Sequence, residues 1–254
     1  MNPHLSAIVL TRDEERNIVD CLRTLSWADE VLVLDSGSED ATVALAQEMG
    51  ARVETRPFDN FPRQRNAALE LAGGEWLFFV DADERATEEL AGEVRKAIAE
   101  EEADGFWVPR RNYIFGRWIR YAGWYPDYQL RLFRRHKGRY DESREVHELV
   151  MLDGPQGYLE NPLIHYNYED IGQFIERQNR YTEMEAAYLF RGGARAKVRN
   201  FVLQPCREFR RRYLTLQGYK DGRHGLLLSL LMAYYEGVKY LKLWRLQRRG
   251  AAFD

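Results

Sequence analysis

The sequence predicts an α/β protein: a Rossmann-like, mostly parallel sheet with a C-terminal amphipathic helical appendage. Three observations predict it. Short apolar runs alternate with helix-periodic segments through the first hundred residues, the order expected of parallel strands joined by right-handed crossovers. Residues 76–80, Trp-Leu-Phe-Phe-Val, run into Asp81, Asp83 and Glu84, as a strand buried on both faces does on reaching the sheet edge. After Gly192-Gly193 the texture becomes basic and helical. The expected division is therefore 1–190 for the α/β domain and 191–254 for the appendage.

Residues 5–11 are apolar and β-branched and form the first strand. Residues 12–17 are polar, and helical spacing follows through Ile18, Cys21, Leu22 and Leu25. Residues 30–34, Glu-Val-Leu-Val-Leu, form a second buried strand that stops at Asp35-Ser36-Gly37-Ser38. A helix over 40–49 ends at Gly50. Residues 52–55 form a third strand, 62–71 a helix ending at Gly73-Gly74, and 76–80 the fourth strand. An amphipathic helix over 86–102 has a solvated acidic end, and 106–109 is a strand.

Residues 110–135 are rich in arginine and aromatics. Gly116, Gly123 and Pro126 predict hairpins and loops there, with a strand over 128–133. A late strand over 159–168 precedes a helix over 170–189, with Asp170 as its cap and a stripe through Phe174, Tyr181, Met184 and Tyr188. Residues 198–216 are basic and amphipathic and include Pro205, and 218–225 form a turn region. Residues 226–244 approach the roughly 20 apolar residues a bilayer crossing needs. Glu236, Lys239 and Lys242 interrupt them, which favours a helix in the membrane interface or packed on the first domain. An ordinary amphipathic helix covering a core is the alternative.

The chain has 254 residues, 45% hydrophobic and 30% charged, a soluble-globular composition. Two cysteines, Cys21 and Cys206, make neither a disulfide framework nor a metal-ligand spacing, which fits a reducing compartment. The first fifteen residues lack the basic start and apolar core of a signal peptide, so a cytoplasmic placement is expected. Net charge is −3 but unevenly spread: residues 191–249 hold 15 Lys and Arg against 3 Asp and Glu, whereas the first 190 hold 22 against 36. A cationic tail on an acidic body expects an anionic partner, here a membrane surface rather than nucleic acid.

The chemistry gathers at strand ends. Asp81 and Asp83 offer hard oxygen ligands for Mg²⁺ or Mn²⁺, which can bridge the phosphates of a nucleotide. Taken alone they also suit a solvated strand-to-loop junction. The first strand ends in Thr11, followed by Asp13, Glu14 and Glu15. The second ends in Asp35 with Ser36, Gly37, Ser38 and Asp40, and the fourth in Asp81-Ala82-Asp83. Open α/β folds place ligands at such edges.

Over roughly residues 5–150 this combination resembles the family 2 glycosyltransferases, which implies their GT-A fold and an inverting, metal-dependent sugar transfer. Arg12-Asp13-Glu14-Glu15 stands where Asn-Glu is commoner. The resemblance implies that Asp35 recognises the uracil or ribose of a nucleotide sugar; a carboxylate can accept from either, although it can also stabilise its own turn. It places Thr11, Asp13, Glu14, Arg63 and Arg65 near the nucleotide. Asp83 is then the direct metal ligand, and Asp81 contacts ribose or a metal-bound water. Gln129 and Arg131 fall near diphosphate and acceptor.

An inverting transfer needs a base for the acceptor hydroxyl and no protein nucleophile. Arg144-Glu145-Val146-His147-Glu148 resembles the Val-His-Glu motif of the lipopolysaccharide-core glucosyltransferase branch. That places the base on Glu148, with Glu145 and Asp127 behind it, and makes His147 a third metal ligand, a diphosphate contact or a structural residue. Trp118, Tyr121, Trp124 and Tyr125 can stack on a sugar or simply pack. Tyr219-Lys220-Asp221-Gly222, Gly225-Leu226 and 239–244 resemble the same branch. The implied donor is a UDP-sugar, UDP-glucose first. The implied acceptor is a lipid-linked glycan such as lipopolysaccharide inner core, met at the inner face of the cell membrane, where a basic tail suits anionic lipid. Transfer to polyprenyl phosphate or to a protein, and a non-catalytic nucleotide-binding scaffold, are the competing readings.

Overall fold

Strand β1, Leu5–Thr11, is buried over nearly its whole length, and this burial gives it a central place in the sheet. A computed structural model describes residues 4–142 and 150–250. After β1 come α1 (Ile18–Arg23), β2 (Glu30–Asp35), α2 (Thr42–Glu48), β3 (Arg52–Thr55), α3 (Phe61–Leu71) and β4 (Trp76–Asp81). These strands run parallel in the order β3-β2-β1-β4. The pairing Thr11↔Asp35, Leu10↔Asp81 and Asp35↔Thr55 brings their carboxyl ends to one edge.

The apolar runs split by the period of two expected of strands. Ala7, Val9, Val33, Phe78 and Val80 face one layer, filled by Ile18, Cys21 and Leu22 of α1 and by Ala46 of α2. Ile8, Leu32, Leu34, Leu77 and Phe79 face the other, filled by Ala68 and Leu69 of α3. Both faces are thus covered, which explains why these strands read as continuous rather than alternating hydrophobics.

β5 (Glu84–Ala86) and α4 (Glu88–Glu100) follow, with the Thr87 hydroxyl accepting from the Leu90 amide as helix cap. Next are β6 (Gly105–Ile114), β7 (Arg117–Trp118), β8 (Asp127–Arg134), β9 (Gly138–Tyr140), β10 (Val150–Leu152), β11 (Gln156–Tyr158) and β12 (Leu163–Tyr168). β8 joins β4 antiparallel and β6 joins β8 antiparallel, so the run of neighbouring parallel strands ends at β4, although β11 pairs with β6 in parallel. β6 runs five residues beyond Pro109, where the sequence suggested it would end; a register shift between Phe106 and Trp107 accommodates the irregularity.

The chain forms two compact units, Met1–Arg110 with Asp127–Tyr166, and Arg111–Pro126 with Asn167–Asp254. This differs from the division at residue 190: the long helix after β12 belongs with the appendage. That helix is α5 (Ile171–Arg191), capped by Asp170, whose carboxylate accepts from the Gln173 amide. α6 (Asn200–Phe209) contains Pro205 and passes into a π-helical stretch, Arg210–Thr215. A 3₁₀ turn, Gly218–Asp221, precedes α7 (Gly222–Gly250).

The second unit has its own core of Ile114, Ile119, Tyr168, Phe174, Leu228 and Tyr235. The apolar stretch 226–244 packs on α5 and α6 through Leu228, Ala233, Tyr235 and Leu243, while Leu226, Leu227, Leu230 and Tyr234 stay exposed. No helix among the described residues is long and apolar enough to cross a membrane.

Glu30 links the first unit's strands electrostatically. Its carboxylate accepts from the Ser6 hydroxyl, from the Gly73 amide at 2.8 Å and from Arg52 at 3.2 Å. Burial raises its pKa, but these donors outweigh burial and hold it below the ordinary carboxylate value. A depressed folded-state pKa contributes stability above the unfolded pKa, and that contribution is lost as pH falls through the folded value. Glu30→Gln is therefore expected to cost about 1–2 kcal/mol at pH 7, and the cost is expected to shrink as the pH is lowered toward 3. Urea unfolding of both proteins across that range checks it; a constant difference would discount the charge.

Candidate active site

The loops after β1 and β2 are knitted together by the polar residues the sequence drew attention to. Asp35, buried at the end of β2, accepts from the amides of Gly37 at 2.8 Å and Ser38 at 2.9 Å and from the Thr11 hydroxyl at 3.2 Å. Its turn needs Gly37 at φ +87°, a region that favours glycine. Asp13 accepts from the Glu39 amide at 2.8 Å and donates its own amide to Ser38, and the Glu14 amide reaches the Thr42 hydroxyl at 2.7 Å. Thr11, Asp13, Glu14 and Asp35 thus lie on one rim, and their local bonds shape its floor.

Behind the rim lies a charged cluster. Asp81 ends β4 and accepts from both Arg131 and Arg65, the latter at 3.2 Å. Fully buried Glu84 accepts from Arg131 at 2.8 Å and from the Asp81 amide at 2.9 Å. Arg110 bridges Glu84, at 3.4 Å, and Asp127, at 2.9 Å, and Gln129 donates to the other Asp127 oxygen at 3.0 Å. Burial raises the pKa of Asp81, but the charges of Arg131 and Arg65 hold it well below the usual carboxylate range. Arg131 shifts the opposite way: burial lowers its pKa, and Asp81 and Glu84 raise it well above normal. The Arg65 guanidinium also lies 5.5 Å from the ring centres of Phe79 and Tyr140.

Asp83 sits two residues beyond Asp81, in the turn between β4 and β5. Its carboxylate lies 3.5 Å from His165 Nε2 on β12. Arg63, unlike Arg65, is on the exposed face of α3, 3.4 Å from Glu142. The Asn60 side chain caps that helix through the Arg63 amide, and buried Asn66 holds the Tyr140 carbonyl. The motif Glu145, His147 and Glu148 lies outside the described residues. Among the described residues, no group of three or more His, Cys, Asp or Glu is placed to hold a metal ion.

The sequence reading did not single out Glu84, Arg110 or His165 for the site. Glu84 stood next to the Asp-Ala-Asp run and carried a signal, since a carboxylate directly after a buried strand is either solvated or paired. Arg110 and His165 carried none, because their partners lie 17 or more positions away in the chain.

Together, a parallel sheet with carboxylates at the ends of the two strands flanking β1, a capped helix presenting arginines, and an antiparallel extension define a glycosyltransferase of the GT-A fold. The chain belongs to glycosyl transferase family 2, which it matches over residues 6–149. It is 30% identical over 255 residues to the lipopolysaccharide core biosynthesis glycosyltransferase LpsC of Rhizobium meliloti, covering 95% of this chain and 92% of that one. An uncharacterised glycosyltransferase of Rickettsia felis is 23% identical over 251 residues, with 94% and 89% covered. Among solved structures, Staphylococcus aureus TarS 1–349, crystallised with UDP-GlcNAc, superposes with a TM-score of 0.53 at 15% identity, covering 97% of this chain and 92% of that one.

Proposed function

We propose that the protein transfers a hexose, glucose foremost, from a UDP-sugar to a lipid-linked saccharide of the lipopolysaccharide-core type, with inversion at the anomeric carbon. The observation that carries this reading is the register that sets Asp35 and Asp81 at the ends of the two strands flanking β1, with Asp83 just beyond. The acceptor class is supported by the likeness to LpsC.

The residues divide the work by position. Asp35 and the Thr11 rim are assigned to the nucleoside, and Arg63, exposed at the start of α3 and 3.4 Å from Glu142, would exchange that carboxylate for a phosphate. Asp81 serves through Arg131 and Arg65 as a neutralised anchor for the turn that presents Asp83. The Asp83 carboxylate, with an imidazole 3.5 Å away, offers the oxygen and nitrogen donors that suit Mn²⁺ or Mg²⁺, and His147 is the further ligand the family resemblance implies. Asp83 and His165 would hold a divalent ion, which would supply charge neutralisation for the departing diphosphate. Asp127 is committed to Arg110 and Gln129, and the family resemblance assigns the proton of the attacking hydroxyl to Glu148, with Glu145 as the second candidate.

The experiment is calorimetric titration of UDP with and without Mn²⁺. Asp83→Ala is expected to weaken metal-dependent binding roughly 100-fold or more, at least as much as losing a supporting residue at a metal site. Undiminished metal-dependent binding would remove Asp83 from the site.

A second part of the proposal concerns location. Around α6, Val198, Val202 and Leu203 are exposed among Lys197, Arg199, Arg207, Arg210 and Arg211. Apolar side chains ringed by cations suit the interface of an anionic membrane. Removing the chain after Gly193 would take Leu228 and Tyr235 out of the second unit's core, so point substitutions test this better. Val202→Glu with Leu203→Glu is expected to abolish co-sedimentation with phosphatidylglycerol vesicles while UDP binding persists. Unchanged co-sedimentation would count against a membrane role for α6.

A further inference from the structure

The second unit holds an open cavity of about 650 Å³ that contains none of the donor-site residues described above. Its walls include Arg117, Trp118, Arg120, Tyr121, Lys220 and Asp221. The volume falls within the few hundred to roughly 1,000 Å³ typical of small-ligand sites.

Local sequence makes this cavity rigid. β6 and β7 pair as Tyr113↔Trp118 and Ile114↔Arg117, leaving Phe115 and Gly116 as a two-residue turn with φ +53° and +73°. Two positive φ values are the signature of the tight hairpin turn whose twist matches its strands. Buried Asp221 then accepts the amides of Arg120, at 3.2 Å, and Tyr121, at 2.8 Å. The 3₁₀ turn carrying Asp221 is itself packed tightly: a Cβ on Gly225 would lie 1.8 Å from the Gly218 carbonyl oxygen. The walls are therefore pre-formed, which lowers the entropy cost of binding.

The charges are not balanced. Both Asp221 oxygens serve backbone amides, and among the described residues no carboxylate pairs with Arg111, Arg117, Arg120 or Lys220. The guanidinium carbons of Arg111 and Arg120 lie 4.3 and 4.2 Å from the Trp118 ring centre, and Lys220 Nζ lies 5.2 Å from that of Tyr121. Arg111 Nε and Trp118 Nε1 are buried without an acceptor. Donors and positive charge thus exceed acceptors and negative charge, beside two aromatic rings.

We propose that this cavity binds a phosphorylated saccharide. Aromatic rings in a polar pocket suit the flat C–H faces of a sugar. The three lining cations match the −1.5 to −2 charge of a phosphate monoester better than the single charge of a carboxylate, and arginine forks fit phosphate oxygens. The saccharide half rests on the sugar-transfer reading above, and the anion half on this cavity alone.

The test uses the full chain and calorimetric titration with trehalose 6-phosphate, trehalose and inorganic phosphate, with UDP plus Mn²⁺ titrated into the same samples. Trehalose 6-phosphate is expected to bind at least tenfold more tightly than either of the other two. Arg120→Gln and Arg117→Gln are each expected to weaken it about tenfold, the worth of one charged hydrogen bond, with UDP binding confirming a folded chain. Equal binding of trehalose would overturn the anion assignment, and equal binding of phosphate the saccharide assignment. Affinity unchanged in both variants would place the site elsewhere. A chain that binds UDP but not trehalose 6-phosphate refutes the cavity proposal and leaves the transferase reading standing; the reverse result refutes donor binding alone.

Discussion

Arg131→Met is expected to cost about 3–5 kcal/mol of folding stability, the range for leaving buried charge without its partner. Arg131 is the shared cation of Asp81 and Glu84, and Glu84 is fully buried. Methionine fills much of the volume but, among the described residues, leaves the Glu84 side chain with Arg110, at 3.4 Å, and the Asp81 amide. At roughly 2–4 °C per kcal/mol for a chain of this size, the melting temperature should fall by about 10 °C. Adding Glu84→Gln should restore part of the loss, because the second substitution removes the stranded charge. A single-variant loss below about 1 kcal/mol would mean that water reaches Glu84 and solvates it.

Glu148→Gln is expected to lower turnover by about 10²–10⁴-fold, the usual contribution of a general base. UDP binding should persist, since the amide keeps the shape and loses only the proton affinity. Single-turnover assay of sugar transfer from UDP-glucose, with UDP titration as control, separates the two. Normal turnover would pass the role to Glu145, because Asp127 already serves the Arg110 guanidinium.

Much of the first unit was legible in the sequence. A strand such as Trp76–Asp81 declares itself by unbroken apolar character, and its end by the carboxylates that follow. Helix α5 was readable from Asp170 and its helical spacing, but its buried face runs through Phe174, Gln178, Thr182 and Ala186. Tyr181 and Tyr188 of the expected stripe are exposed, because polar side chains on the buried face are covered by α7 while the tyrosines point away from it. The strand ends that carry Thr11, Asp35 and Asp81 were therefore located before any fold was known.

Other features were hidden because they depend on distant partners. Arg131 looked like a ligand-facing residue, yet it is buried against carboxylates 47 and 50 positions earlier. Asp35 is buried and accepts four hydrogen bonds within its own loops, a commitment its acidic type does not reveal. Residues 111–126 read as loops between strands, and only the packing of Ile114 and Ile119 with Phe174, Leu228 and Tyr235 assigns them to the second unit. The apolar stretch 226–244 was open to a membrane or a core reading because a single helix face serves either.

The sequence by itself determined where chain direction and burial change: the parallel strands, their acidic ends, the cationic appendage and the family they define. Tertiary structure alone decided which charges neutralise one another, and that the hairpin after β6 joins the helices. The physical reason is range. Period and propensity act over a turn or a strand, whereas an ion pair or a shared core is a contact between segments whose separation in the chain carries no local mark.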